Sequence, residues 1–298
     1  MADQTIVPCI WCNENADEVV AFYRSVFPET DENRRSHYPS DGLADFQKHM
    51  AGEVLTIDFS IGGVRLTALN AGAEFTPNPM LSFIVNFDPS RDEHAVDYLN
   101  AAWDQLVVGG KTLMPLDEYP FSKWYGWVQD KYGVSWQLML TDPAGDPRPF
   151  LVPSLMFAND NVNRAAEAIE FYTSAFPGSR IGTMVEWPVG QDEVVAGAVM
   201  FGEFEVGSQW FAAMDSPVAH DFDFNEGLSL QVECADQDEI DNFWEKLSTD
   251  PEAEVCGWCK DQFGVSWQVV PANFDQMLTP ETFPILHKMR KIEIAEFS

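Results

Sequence analysis

Basic residues are scarce in this chain. Seventeen Lys and Arg stand against 48 Asp and Glu, a formal net charge of −31 over 298 residues. Nucleic acid and anionic membrane surfaces are gripped by Lys/Arg-rich faces, so neither is expected as a partner. Such an acidic coat speaks to solubility and salt response rather than to fold. Long apolar runs are missing too: no stretch approaches the roughly 18 residues that a membrane span needs. The opening MADQTIVPCIW has neither the basic region nor the apolar run of a signal peptide, so a cytoplasmic location is expected. Five cysteines, an odd count, argue against a disulfide framework. No Ser-His-Asp or Cys-His set recurs along the chain, which leaves nucleophilic catalysis without support. Nor does a glycine-rich turn join a strand to a helix, as S-adenosylmethionine and dinucleotide enzymes usually require; Gly62-Gly63 sits between two strands.

What the chain does have is a repeat. GWVQDKYGVSWQLM (126–139) recurs as GWCKDQFGVSWQVV (257–270). Upstream, VPCIW (7–11) matches VPSLM (152–156), AFYRSVFP (21–28) matches EFYTSAFP (170–177), and FTPNPMLSFIV (75–85) matches FDFNEGLSLQV (222–232). Four blocks in one order define two copies of a domain, 4–142 and 150–271. TDPAGDPRPFL (141–151), rich in Pro, Gly and Asp, reads as the linker. Residues 272–298 form a tail with one expected helix.

Each copy reads alike. A strand over 6–12 leads into a helix over 16–26, where Ala16, Val19, Val20, Tyr23 and Phe27 recur on one face. LTIDFSI and VRLTALN make a hairpin on Gly62-Gly63. A further strand LSFIVNF, a helix near 92–106, and the hairpin YGWVQ/SWQLML follow. Strand–helix–strands, twice per copy, predicts an α+β fold of paired βαβββ units.

IVPCIWCNENADEVVAFYRSVFP, FTPNPMLSFIVN, LMPLDEYPFSKWYGWVQDKYGVSWQL and the tail KMRKIEIAEF resemble the PhnB-like branch of the vicinal-oxygen-chelate (glyoxalase/bleomycin-resistance) superfamily. Domains of that branch often carry the name 3-demethylubiquinone-9 3-methyltransferase. The resemblance implies tandem glyoxalase-like domains, each a curved, mostly antiparallel sheet around a cleft. It also implies where a divalent metal would be held: at Pro8 and Pro153, near Leu81-Ser82 and Leu228-Ser229, and at Gln137 and Gln268. Proline offers no ligand atom, and one amide without His or carboxylate partners makes a poor transition-metal site. His37, His49, His94, His220 and His287 match none of these positions. No metal and no other cofactor is therefore expected, and the methyltransferase name reads as a label rather than a mechanism.

The spacings Cys9–Cys12 and Cys256–Cys259 suggest half of a zinc site, but strand residues three apart point to opposite faces. Their counterparts Ser154, Phe157, Tyr125 and Val128 suit ordinary buried cysteines. Taking Pro8 as inward-facing places Ile10 and Cys12 inward too, with Ser82, Ile84 and Asn86, and Ser135, Gln137 and Met139. One asymmetry stands out. Trp103 and Gly126 are separated by 23 positions, Trp244 and Gly257 by 13. Copy two thus lacks the equivalent of PLDEYPFSKW (115–124), a segment with charges and aromatic rings placed where loops commonly bind ligands.

Candidate ligand contacts are accordingly Asn70, Ser82, Asp117, Glu118, Lys123, Trp124, Trp127 and Gln137. Asp215, Ser229, Trp258 and Gln268 are their second-copy counterparts. No catalytic residue is singled out. The reading is a metal-independent protein that binds a small organic ligand in the domain-one cleft. The alternatives are a metal-dependent enzyme of glyoxalase or dioxygenase type, and a structural module with vestigial clefts. The two copies are expected to form an internal pseudo-dimer, as a monomer or a homodimer.

Overall fold

A computed structural model describes residues 4, 6–188 and 194–297. Three βαβββ units and a fourth that is one strand short follow one another. The first holds β1 (Ile6–Cys12), α1 (Ala16–Val26), β2 (Thr30–His37), β3 (Val54–Ile61) and β4 (Val64–Asn70). The second holds β5 (Leu81–Phe87), α2 (Ala95–Leu106), β6 (Lys111–Tyr119), β7 (Ser122–Gln129) and β8 (Ser135–Leu140). In the third are β9 (Leu151–Phe157), α3 (Ala165–Ala175), β10 (Arg180–Glu186), β11 (Val199–Val206) and β12 (Gln209–Asp215). The fourth is shorter: β13 (Leu228–Cys234), α4 (Gln237–Leu247), β14 (Trp258–Lys260) and β15 (Ser266–Pro271). The α+β class and the tandem glyoxalase-like arrangement hold.

Sheet membership crosses the repeat. One sheet runs β14-β15-β13-β1-β4-β3-β2 and the other β10-β11-β12-β9-β5-β8-β7-β6. Each therefore joins a unit of one copy to a unit of the other, through the antiparallel pairs β1–β13 and β5–β9. Strands run parallel only where the first strand of a unit meets its last, as in β1–β4 and β5–β8. The expected cleft within domain one is thus corrected: the ten residues after Asn70 carry the chain from one sheet to the other, so no sheet belongs to a single copy.

The helices pack between the sheets. Ala16, Val19, Val20 and Tyr23 of α1 are all buried, as their spacing predicted. Tyr23 donates its hydroxyl to Asp130 Oδ2 at 2.9 Å, and its ring meets Trp136 of the other sheet at 5.0 Å. Tyr172 of α3 repeats this with Asp261 (2.7 Å) and Trp267 (5.6 Å). Both indoles donate to the same carboxylates, Trp136 to Asp130 and Trp267 to Asp261. The repeated D..GVSWQ block is an inter-sheet pin.

The missing ten residues of copy two correspond to an edge strand. Where the second unit has the β6–β7 hairpin, the fourth has β14 alone, and the tail takes the vacated edge. Cys256 and Gly257 donate their amides to the carbonyls of Met289 and Arg290 at 2.8 and 2.7 Å. A side chain at Gly257 (φ +87°) would meet Ile292 at 3.0 Å, so this approach needs glycine. The tail is not one helix. It forms two single turns, α5 (Phe274–Met277) and α6 (Phe283–Leu286), because Pro280 cannot continue a helix begun before it.

One face assignment is corrected. Ile6, Ile10 and Cys12 pack on the helix side, so the concave face of β1 carries Val7, Cys9 and Trp11, not Pro8, Ile10 and Cys12. The period of two holds in β1, but with its anchor one residue along, which puts each of its side chains on the other face.

Candidate functional site

The seven-stranded sheet bends around a cavity of about 580 Å³. Its floor is polar. Thr67 donates to Asp58 at 2.8 Å, Ser36 and Thr56 share a 2.6 Å hydrogen bond, and Gln231, Ser266 and Gln268 come from the fourth unit. Its walls are apolar: Trp11, Phe75 and Trp258 on one side, with ring centroids 5.0 and 5.9 Å apart, and Phe46, Phe283 and Leu286 on the other. The tail supplies the second wall together with Phe46, from the segment between β2 and β3. Arg34 ties it down, bridging Asp58 of β3 and Asp275 of α5 at 2.9 Å each.

The two sheets treat the same amide differently. Gln137 donates to Ser82 Oγ at 2.9 Å and accepts from the Tyr125 hydroxyl at 2.8 Å. Tyr125 is in turn covered by Tyr119 and Phe121 of the β6–β7 hairpin, at 5.5 and 4.9 Å. Gln268 makes the matching bond to Ser229 at 3.0 Å. The tyrosine position of its own unit is Cys256, which has no hydroxyl to offer. Gln268 therefore lies on the cavity lining while Gln137 is tied off. Nearby on the eight-stranded sheet, Ile84, Val152 and Ala212 bury under Met139, Phe201 and Trp210.

The other candidates separate by role. Asn70 and Asp215 hold helix starts, the Ala16 amide donating to Asn70 at 2.9 Å and the Ala165 amide to Asp215 at 3.1 Å, and Asp215 also accepts the Val199 amide at the start of β11 at 2.8 Å. Burial pushes the Asp215 carboxyl above its ordinary range, and these amides partly offset that. Trp124 donates to Asn100 of α2 at 2.8 Å. Trp127 packs with Met80, Met156 and Met214, its buried indole N–H unpartnered. Asp117, Glu118 and Lys123 are exposed on the edge hairpin. The sequence reading missed Asp58, Thr67, Arg34 and Asp275. Alternation in β3, one face apolar and one carrying Thr56, Asp58 and Ser60, was the available signal.

The residues that stand at the superfamily's metal positions do not fit a metal. Correcting the face of β1 replaces Pro8 with Cys9, beside Ser229 and Gln268; its counterpart is Ser154. Burial pushes the Cys9 thiol up to about 12, with smaller opposing effects from Gln268 and Ser229, and its only near neighbours in the set are a hydroxyl and an amide. Hydroxyls and an amide complete the set, without the imidazoles or carboxylates that a divalent ion needs. Among the described residues, no three His, Cys, Asp or Glu side chains gather to hold a metal ion. Cys12 and Cys259 are buried, with thiols pushed up by burial. Cys256 lines the cavity, its thiol pushed up to about 11 by burial.

With this geometry in view, the family comparison is specific. The sequence pattern of the family described as 3-demethylubiquinone-9 3-methyltransferase matches residues 4–139 and again 149–270. A PhnB protein from Bacillus cereus is 31% identical over 46% of this chain and 100% of its own, with a TM-score of 0.39. Glyoxalase I from Zea mays is 13% identical, covers 95% of both chains and superposes with a TM-score of 0.53, a likeness of fold. No protein of curated function matches.

Proposed function

The chain belongs to the 3-demethylubiquinone-9 3-methyltransferase (PhnB-like) family of the vicinal-oxygen-chelate superfamily, and we propose that it binds a small organic molecule, without a metal, in the cavity over the seven-stranded sheet. The observation that carries this is the contrast between Gln268, left on the lining of a 580 Å³ cavity, and Gln137, capped by Tyr125. That volume is within the range of small-molecule sites, and so is the mix of aromatic walls with few polar groups. The site thus moves from domain one alone to the unit pair β1–β4 and β13–β15. Gly62-Gly63 turns one strand into the next, so it is not the strand-to-helix turn on which a nucleoside cradle is usually built.

A neutral fluorescent probe, N-phenyl-1-naphthylamine, tests the site. It should bind one per chain, equally before and after EDTA treatment. Gln231→Trp, which fills the cavity, should weaken it about tenfold, while Gln137→Leu on the other sheet should not. Unchanged affinity in Gln231→Trp would refute the site, and loss on chelation would refute metal independence.

A further inference from the structure

The walls and the charges of this cavity narrow the chemistry of what enters it. Six carboxylates line it: Asp58, Glu74, Glu226, Glu233, Glu252 and Asp275. Only two cations, Arg34 and Lys260, stand among the lining residues. Both are already engaged, Arg34 by Asp58 and Asp275, Lys260 by Glu226 at 2.9 Å. Arg65, just outside, grips Glu233 through two hydrogen bonds of 2.9 and 2.7 Å. Burial disfavours the charged form of His287, the lining imidazole. The cavity is net negative with its cations spoken for.

Its aromatic wall is complementary to the same charge. Trp11, Phe75 and Trp258 meet edge to face, at interplanar angles of 88° and 70°. Rings set this way turn π faces in different directions, and those faces attract cations. At the floor, the Ser266 hydroxyl belongs to a residue 1% exposed and has no partner. An anion entering here would meet uncompensated carboxylates and no free cation. A strongly hydrated metal ion would find no clustered ligands. Building on the cavity reading above, we propose that the ligand is an organic cation with an aromatic or apolar body, its charge held between the Trp11–Trp258 wall and the carboxylates of the rim.

Three probes of one shape test this on the full chain: (2-naphthylmethyl)trimethylammonium, 2-naphthylmethanol and 2-naphthalenesulfonate, titrated by calorimetry at fixed salt. The ammonium should bind about tenfold tighter than the alcohol, and the sulfonate at least about tenfold weaker than the alcohol. Trp258→Leu should remove most of the ammonium's advantage. Because that variant removes a large side chain, Glu74→Gln/Glu252→Gln at the exposed rim is the second test, and should cut the advantage about threefold. An ammonium no tighter than the alcohol, with the alcohol still weakened by Gln231→Trp, overturns the cation assignment and leaves the cavity reading standing. If no probe responds to Gln231→Trp, binding is to the acidic surface and both readings fail.

Discussion

Asp130 and Asp261 show how one residue type can hold two sheets together. Each accepts from a tyrosine, an indole and two backbone amides: Tyr23, Trp136, Tyr132 and Val134 for Asp130, and Tyr172, Trp267, Phe263 and Val265 for Asp261. Asn at 261 keeps one acceptor oxygen and turns an NH2 group toward donors. Asp261→Asn should therefore cost about 2–3 kcal/mol in urea unfolding, the cost of stranding buried donors. The pH response has a definite sign. Burial pushes Asp261 from its ordinary 3.8 up to about 6, against the opposing pull of Trp267 and Tyr172. A carboxyl raised on folding contributes stability that is fully present below pH 3.8 and is lost as pH rises through about 6. Wild type should lose an increment of stability across that window that Asp261→Asn does not lose.

At the scale of elements, the tail and the β6–β7 hairpin are two solutions to one problem: covering the outer strand of a unit. The hairpin does so with its own rings, and Gly126 there makes room for Trp103, which would lie 2.5 Å from any Cβ. The tail does so with Ile292, 0% exposed, and holds to α4 through Gln237, which bonds the Ile292 carbonyl and the Ile294 amide at 3.0 and 2.8 Å. Ile292→Ala should cost about 2–4 kcal/mol, the usual range for emptying a packed site, and should weaken probe binding, because the same segment carries Phe283 and Leu286 over the cavity. Alanine at Asp117, Glu118 and Lys123 should change stability by less than about 0.5 kcal/mol and leave probe affinity unchanged. Chemical denaturation and probe titration on both sets decide between tail and hairpin as the functional wall.

At the scale of the molecule, the charge of −31 and the shared sheets set the behaviour. Exposed carboxylates repel one another over about 10 Å at 0.1 M salt and over about 30 Å at 0.01 M. The melting temperature should therefore rise as NaCl goes from 0.01 to about 0.5 M, with most of the gain gone in a variant that replaces several exposed Asp and Glu by Asn and Gln. Scanning calorimetry reads both. Because β1–β13 and β5–β9 join the two copies at the centre of both sheets, separated halves should each unfold rather than survive as domains.

The repeat, the strand–helix–strands order of its units, the span of α1 and the Gly62-Gly63 hairpin were legible in the sequence, because each rests on local periodicity and turn chemistry that tertiary contacts reinforce; the fourth unit is one strand short of the expected βαβββ. The candidate set was legible only in part. Gln268, Ser229 and Trp258 are at the cavity or against it, whereas Asn70 and Asp215 brace helices. Which units share a sheet could not be read locally, since a ten-residue connection reaches a strand of either sheet equally well. Nor could the difference between Gln137 and Gln268: in sequence they are one repeated position. The doubled domain was written in the chain, but only the fold, by setting Tyr125 over Gln137 and leaving Gln268 on a cavity lining, decided how the two sheets differ.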